Sequence, residues 1–252
     1  MQKSKTQTGI LGFLEKHIRK YVLIYCLIRS IAIKFNIFED DFKILKKIYS
    51  SKKINIIDVG ASDGIAANFF LKNLNVRNIY CYEPHSLFIN KLKKIKKRNP
   101  KIKIFKHGIS STNEDIYVFV PMIEFFRKKI YLLTYTFYDF KELTMQLKLD
   151  FLNYKKIIIE KVKLRLKKFK LIQNKIDLIK IDVNGYEFEI IQSLNKQIAK
   201  DKPLLIIENN SKLQKISKYL KKYGYKRYFN KKNNLIKHTN ENVLDVFYIY
   251  QK

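Results

Sequence analysis

The 252-residue chain is 46% hydrophobic and 14% aromatic, enough to bury one full core and too short for two large ones. Seven Gly and four Pro exclude a collagen-like or Gly/Pro-rich disordered chain, and the apolar content excludes wholesale disorder. With 52 basic against 22 acidic residues the formal charge is +30, which taken alone points to nucleic acid or an anionic membrane.

The make-up of that charge weakens this reading. Only seven of the 52 are Arg and the rest are Lys spread along the whole chain, whereas Arg is the preferred fork for phosphate and base edges. Abundant Lys, Ile and Asn suit a proteome coded by an AT-rich genome, so a compositional origin is favoured and no sequence-specific nucleic-acid partner is expected. Cys26 and Cys81 lie outside any CxxC or His-rich setting, so neither a disulfide nor a Cys-based zinc site is expected. The longest apolar run, residues 21–28, is closed by Arg29 and falls far below the ~20 residues that span a bilayer. No small-x-small cleavage site follows it, so the chain is expected in the cytoplasm.

Residues 1–50 read as a helical extension. Leu11, Leu14, Ile18, Tyr21, Tyr25, Ile28 and Ala32 recur at three- or four-residue steps, with Lys16, Arg19 and Lys20 on the other side. Over residues 9–35 that face either packs on the core or a second subunit, the favoured reading, or lies in an anionic membrane interface as a peripheral contact. A short helix with Phe42, Leu45 and Ile48 follows.

From residue 54 the pattern changes to short apolar strands (54–59, 79–82, 102–106) separated by helices, which implies a parallel sheet covered on both faces. Residues 115–165 interrupt it, with 115–120 and 157–166 expected to pair as an inserted hairpin around an aromatic-rich stretch. Alternation resumes with a strand over 176–183, a helix from Tyr186, a strand over 204–208 and a helix from Ser211 ended by Gly224. Two closing strands, 225–229 and 245–250, flank the turn-prone Lys232-Asn233-Asn234.

The most informative stretch is a strand ending in Asp58 and Val59 that runs into Gly60-Ala61-Ser62-Asp63-Gly64 and then a helix. Glycines there let the backbone turn tightly, and amides at the helix start are expected to face a ligand. Ser62 replaces the second Gly of a dinucleotide fingerprint, and Asp58 precedes the first. By Coulomb sign, a cationic or hydroxylated ligand fits better than a diphosphate. The next strand ends in Glu83-Pro84-His85, about twenty residues on, where doubly wound folds place a carboxylate on a ribose diol. His85 and His107 are read either as adenine contacts or as plain surface residues.

Asp58-Val-Gly-Ala-Ser-Asp-Gly64, Glu83-Pro84 and Lys180-Ile-Asp182-Val-Asn184-Gly185-Tyr-Glu187 together resemble the FkbM-type family of S-adenosylmethionine-dependent methyltransferases over about residues 50–210. The resemblance implies a class I, Rossmann-like α/β fold: a mostly parallel seven-stranded sheet with helices on both faces, here with the inserted hairpin and the N-terminal helical extension. On this reading the methyltransferase domain covers 51–252. The resemblance further implies S-adenosyl-L-methionine as cofactor and O-methylation of a hydroxyl on a sugar, glycolipid or similar metabolite. Two positions depart from the family pattern. Asn184 stands where Glu is usual, and Leu166-Lys167 stands where a Leu-Asp pair is usual.

Asp58, Gly60, Ala61, Ser62, Gly64, Glu83, Pro84 and His85 are the expected cofactor residues. Methyl transfer needs in-line placement and, often, a group that takes the hydroxyl proton. Asp182 at the end of the fourth strand is the candidate base, or an electrostatic partner of the sulfonium. Glu187 either shares in catalysis or answers the dipole of its helix. Glu208 ends the fifth strand and is expected beside Asp182, where two carboxylates could share a proton; without a third ligand, no metal is assigned. The alternatives are an RNA methyltransferase, and a catalytically silent cofactor-binding protein at the membrane surface.

Overall fold

The computed structural model describes residues 21, 23, 24, 40–152 and 154–251. The rest of the expected N-terminal helix lies outside the described residues. A 3-10 turn, Asp40–Lys43, leads into the short helix α1, Ile44–Ile48, which buries Ile44 and Leu45, while Ile48 is exposed. Phe42 packs against Phe69 and Phe70 at ring-centroid distances of 5.7 and 5.8 Å.

The chain then alternates strand and helix: β1 Ile54–Val59, α2 Ile65–Asn73, β2 Val76–Tyr82, α3 Ser86–Arg98 and β3 Ile102–Phe105. After an insertion it resumes with β8 Leu178–Ile181, α5 Glu187–Ser193, α6 Asn195–Asp201, β9 Leu204–Glu208 and α7 Leu213–Lys221. The last three strands are β10 Tyr225–Lys231, β11 Asn234–Lys237 and β12 Asp245–Tyr250. In the sheet the order is β11-β10-β12-β9-β8-β1-β2-β3. Pairing is parallel from β9 through β8, β1 and β2 to β3, and antiparallel among β9, β12, β10 and β11.

Every residue of β1 is buried, as expected for a strand covered on both faces. Alternation sends Ile54 and Ile56 to a core with α2 and α3, through Ala67, Phe70 and Leu92. Ile57 and Val59 face the opposite core, with Phe188, Ile191, Ile198 and Ile216 from α5, α6 and α7.

Two expectations need correction. The sheet has eight strands among the described residues, not seven, because the turn at Lys232 and Asn233 (φ 50° and 60°) folds β11 back on β10. Mostly exposed and carrying Asn and Lys, β11 is an edge strand with no alternating pattern to announce it. The inserted hairpin is likewise part of a larger structure. Residues 115–120 do pair with 160–165, but within a second sheet ordered β4-β7-β5-β6. Its strands are β4 Gly108–Ser110, β5 Glu114–Phe125, β6 Lys128–Tyr131 and β7 Ile158–Lys168. Helix α4, Phe140–Asp150, is capped by Asp139, whose carboxylate accepts from the Glu142 amide at 2.8 Å, and it buries Leu143 and Leu147 against Leu132, Tyr135 and Phe151.

Candidate cofactor and acceptor site

The chain goes from β1 outward to β2 and β3, then returns to lay β8 and β9 on the other flank of β1. The crevice between the carboxyl ends of β1 and β8 is therefore the topological switch point, where open α/β sheets bind ligands. Gly60 follows β1 there with φ 75°, and a Cβ on it would collide with the Asp182 carbonyl oxygen at the end of β8. Only glycine allows that approach. Gly64 (φ 84°) precedes α2, and a Cβ there would press into Ile95 of α3.

Four amides of this turn are taken up inside the protein. Gly60 and Ala61 donate to the Tyr82 carbonyl at 3.0 and 3.3 Å, Ser62 donates to Glu83 Oε2 at 2.8 Å, and Gly64 donates to the Ala61 carbonyl at 2.9 Å. They tie β1 to β2 and hold Glu83 in place. The second oxygen of Glu83, Oε1, accepts from the His85 amide at 2.8 Å across Pro84. Burial pushes the Glu83 carboxyl up to about 7 against the pull of those two amides, with Asp58 and Asp63 adding to the rise.

His85 is buried rather than on the surface. It caps α3 by accepting the Leu87 amide at Nδ1 (3.3 Å), which places its proton on Nε2, a buried atom without a hydrogen-bond partner. Burial lowers its pKa and keeps the ring neutral. His107 lies edge-on to Tyr82 and Phe105, which stack at 4.5 Å.

Asp58 stands near the end of β1 with its side chain fully buried and neither carboxylate oxygen hydrogen-bonded. Opposite it in the β1–β8 register is Lys180. Burial pushes Asp58 up to about 6, opposed by the Lys180 charge and reinforced by Asp182. Burial also opposes the Lys180 ammonium, but Asp182, Asp58 and Asp245 together outweigh it and raise its pKa. Lys180 Nζ lies 3.0 Å from Asp182 Oδ2, both side chains being on one face of β8 as i and i+2. Asp182 keeps 41% of its side chain exposed and so presents the accessible carboxylate of this cluster. The β8–β9 register ends on the pair Ile181 and Ile207, which brings Asp182 and Glu208 side by side as expected, and Asp245 is opposite Glu208 on β12.

Glu187 is fully buried and serves the β8–α5 turn. Its Oε1 accepts from the amides of Val183 (3.2 Å) and Gly185 (3.0 Å), and its Oε2 accepts from Gly185 (3.1 Å) and from the side-chain amide of Asn210. Burial and Glu208 raise its pKa. Asn184, at φ 50°, occupies the left-handed region that Asn tolerates best after Gly, which gives this departure from the family pattern a backbone reason. Lys167, the other departure, is exposed on β7 opposite Ile109 of β4.

Several residues at this edge escaped the sequence reading. Lys212 Nζ donates to the Gly185 carbonyl at 2.7 Å and to Glu189 at 3.0 Å. Glu142, from the first turn of α4, accepts from Ser211 Oγ at 3.3 Å and lies close over Gly185. The rings of Tyr138 and Tyr186 are 5.2 Å apart. The insertion thus brings a carboxylate and an aromatic ring to the turn that follows Asp182. Their only sequence signal was the Asp139-x-x-Glu142 helix start, which speaks of a cap and not of a site.

A doubly wound sheet, a glycine turn after β1, an acid ending β2 and an acid ending β8 at the switch point define a class I methyltransferase fold. The model of the methyltransferase FkbM domain matches residues 58–227, and the chain belongs to that family. Among solved structures, methyltransferase FkbM from Methylobacillus flagellatus KT is similar at 13% identity and TM-score 0.50, over 92% of this chain and 61% of that one. The chain thus spans less than two thirds of that relative. Precorrin-6y C5,15-methyltransferase from Geobacter metallireducens GS-15 shows 10% identity and TM-score 0.43, over 90% of this chain and 88% of that one. An rRNA methylase from Streptococcus thermophilus shows 10% identity and TM-score 0.42, over 82% and 93%. The first likeness speaks to the fold alone, and the other two support no conclusion. No curated protein matches the chain.

Proposed function

We propose that the protein transfers a methyl group from S-adenosyl-L-methionine to a hydroxyl of a sugar, glycolipid or similar metabolite. The residues present fit that cofactor. Each Glu83 oxygen uses one lone pair on an amide and keeps another for a ribose hydroxyl. His85 Nε2, a buried donor without a partner, suits a purine nitrogen. When bound, S-adenosylmethionine supplies a methyl group activated on a sulfonium, whose C–S bond breaks as the C–O bond forms. Asp182 receives the hydroxyl proton on a carboxylate that Lys180 holds in place.

The observation that carries this reading is the pair of acids at the switch point: Glu83, clamped by two amides at the end of β2, and the accessible Asp182 at the end of β8. A sugar-like acceptor is supported by Glu142, Ser211 and the Tyr138–Tyr186 pair beside the Asp182 turn, where carboxylates can accept hydroxyls and rings can cover a pyranose face. Calorimetry on wild type and Glu83→Ala tests the cofactor: the variant should lose about 1.5–3 kcal/mol, the range for hydrogen bonds to charged groups. Equal affinity removes Glu83 from the site. Transfer of labelled methyl to saccharide or glycolipid hydroxyls tests the acceptor, and methylation of RNA at near-physiological salt with preference for one sequence would replace it.

A further inference from the structure

From the end of the second sheet we infer a docking surface for an anionic lipid bilayer. The ladder between β5 and β7 stops at Met122 and Ile158, whereas that between β5 and β6 runs on to Phe125 and Lys128, so residues 123–130 project past β7 as a two-stranded arm. Its tip is the two-residue turn Phe126-Arg127, with φ 47° and 58°. Such a turn favours Asn-Gly, and a bulky Phe at positive φ is strained. That strain gains no packing. Phe126 is 85% exposed and Phe125 44%, their rings meeting edge-on at 4.5 Å. The conformation displays two aromatic rings to the surroundings.

The charges beside the rings identify the occupant. Arg127 and Lys128 have no ion-pair partner among the described residues; Lys129 is held by Glu160 at 2.6 Å and stands opposite Glu124. At the same end of the sheet, Ile158 and Leu152 add exposed aliphatic surface, and Lys155 and Lys156 add exposed charge. Exposed rings on a projecting tip, beside the unpaired Arg127 and Lys128 and the exposed Lys155 and Lys156 on a chain of charge +30, complement the anionic headgroups and the acyl boundary of a bilayer. Single-stranded nucleic acid instead needs rings laid flat along a groove, and these two rings meet at 77° on a projection. The inference is independent of the reaction proposed above.

The test uses the full chain with phosphatidylcholine vesicles, with and without phosphatidylglycerol, at about 0.15 M salt. Wild type should sediment with the anionic vesicles only. The double variant Phe125→Ser, Phe126→Ser should bind at least about tenfold more weakly with an unchanged melting temperature, since both rings lie outside the core. Arg127→Gln and Lys128→Gln should each cost about fivefold. The chain has no Trp, so Phe126→Trp adds a single reporter, whose emission should shift to the blue and be quenched by brominated lipid. Four outcomes overturn the inference: wild type that ignores anionic vesicles; a double variant that binds like wild type, which puts binding elsewhere in the chain; a Phe126→Trp emission that responds to single-stranded RNA and not to vesicles; and a vesicle-free dimer abolished by the double variant, which makes the occupant a second copy.

Discussion

A cation buried under three carboxylates from three strands is costly unless every partner is present, and Lys180 is such a group. Replacing it by Met removes the positive charge that acts on Asp58, Asp182 and Asp245 together. Lys180→Met should therefore cost about 3–5 kcal/mol in urea unfolding at pH 8. Less should be lost at pH 5, where Asp58, pushed up to about 6, is protonated. An equal loss at both pH values would detach Lys180 from these acids. Asp182→Asn keeps the shape and removes the proton acceptor, so S-adenosylmethionine should bind nearly as well while turnover falls by roughly 10²-fold or more. Wild-type turnover on the true acceptor would make Asp182 structural. Glu83 and Asp182 were legible as candidate site residues because each stands at the end of a strand, a local fact. The partnership of Lys180 with Asp58 and Asp245 was not, because β1 and β12 are far from β8 in the chain.

At the scale of elements, α5 fastens the loop that carries Asp182. Its first residue, Glu187, takes the amides of Val183 and Gly185 and the Asn210 side chain, so the β8–α5 turn and the segment after β9 form one unit. Glu187→Ala should leave these part-buried donors without their acceptor, at up to about 1–3 kcal/mol each where water cannot reach them, and lower the melting temperature. Glu187→Gln, which keeps one acceptor, should lose less. If the alanine variant melts like wild type while turnover collapses, Glu187 belongs to the chemistry instead. The same logic explains the reassigned glycine turn. A strand–Gly-x-x-x-Gly–helix pattern predicts a tight turn but not the destination of its amides, which go to Tyr82 and Glu83 only because β2 lies alongside.

For the molecule as a whole, burying acids beneath the sheet edge sets a pH dependence with a definite sign. Glu83 rises from 4.5 to about 7 on folding, so the native state holds more protons than the unfolded state across that interval. Its contribution to stability is therefore greatest below about pH 4.5 and is lost as pH rises toward 7 and beyond. His85 and His238, lowered by burial, act in the opposite direction below their ordinary 6.5, so the diagnostic quantity is the difference between wild type and Glu83→Gln. Urea midpoints should fall more steeply from pH 5 to pH 8 in wild type than in the variant, and parallel curves would sink the assignment. For the same reason S-adenosylmethionine should bind wild type more tightly as pH rises through 7, because the ionised carboxylate is the better acceptor for the ribose hydroxyls. Among the described residues, no helix is long and apolar enough to cross a membrane.

By itself the sequence determined the doubly wound architecture and the strand ends that carry Glu83, Asp182 and Glu208. Apolar runs, strand-to-helix glycine turns and terminal acids are local patterns, and a parallel sheet repeats them faithfully. Only the tertiary structure decided that Asp58 is fully buried, that Glu142 and Tyr138 reach the turn beyond β8, and that Phe125 and Phe126 stand out on a projecting arm. These depend on register and on which strands become neighbours. A carboxylate is a ligand or a buried counter-ion according to what packs over it, and an aromatic ring is core or surface according to whether its strand has a partner.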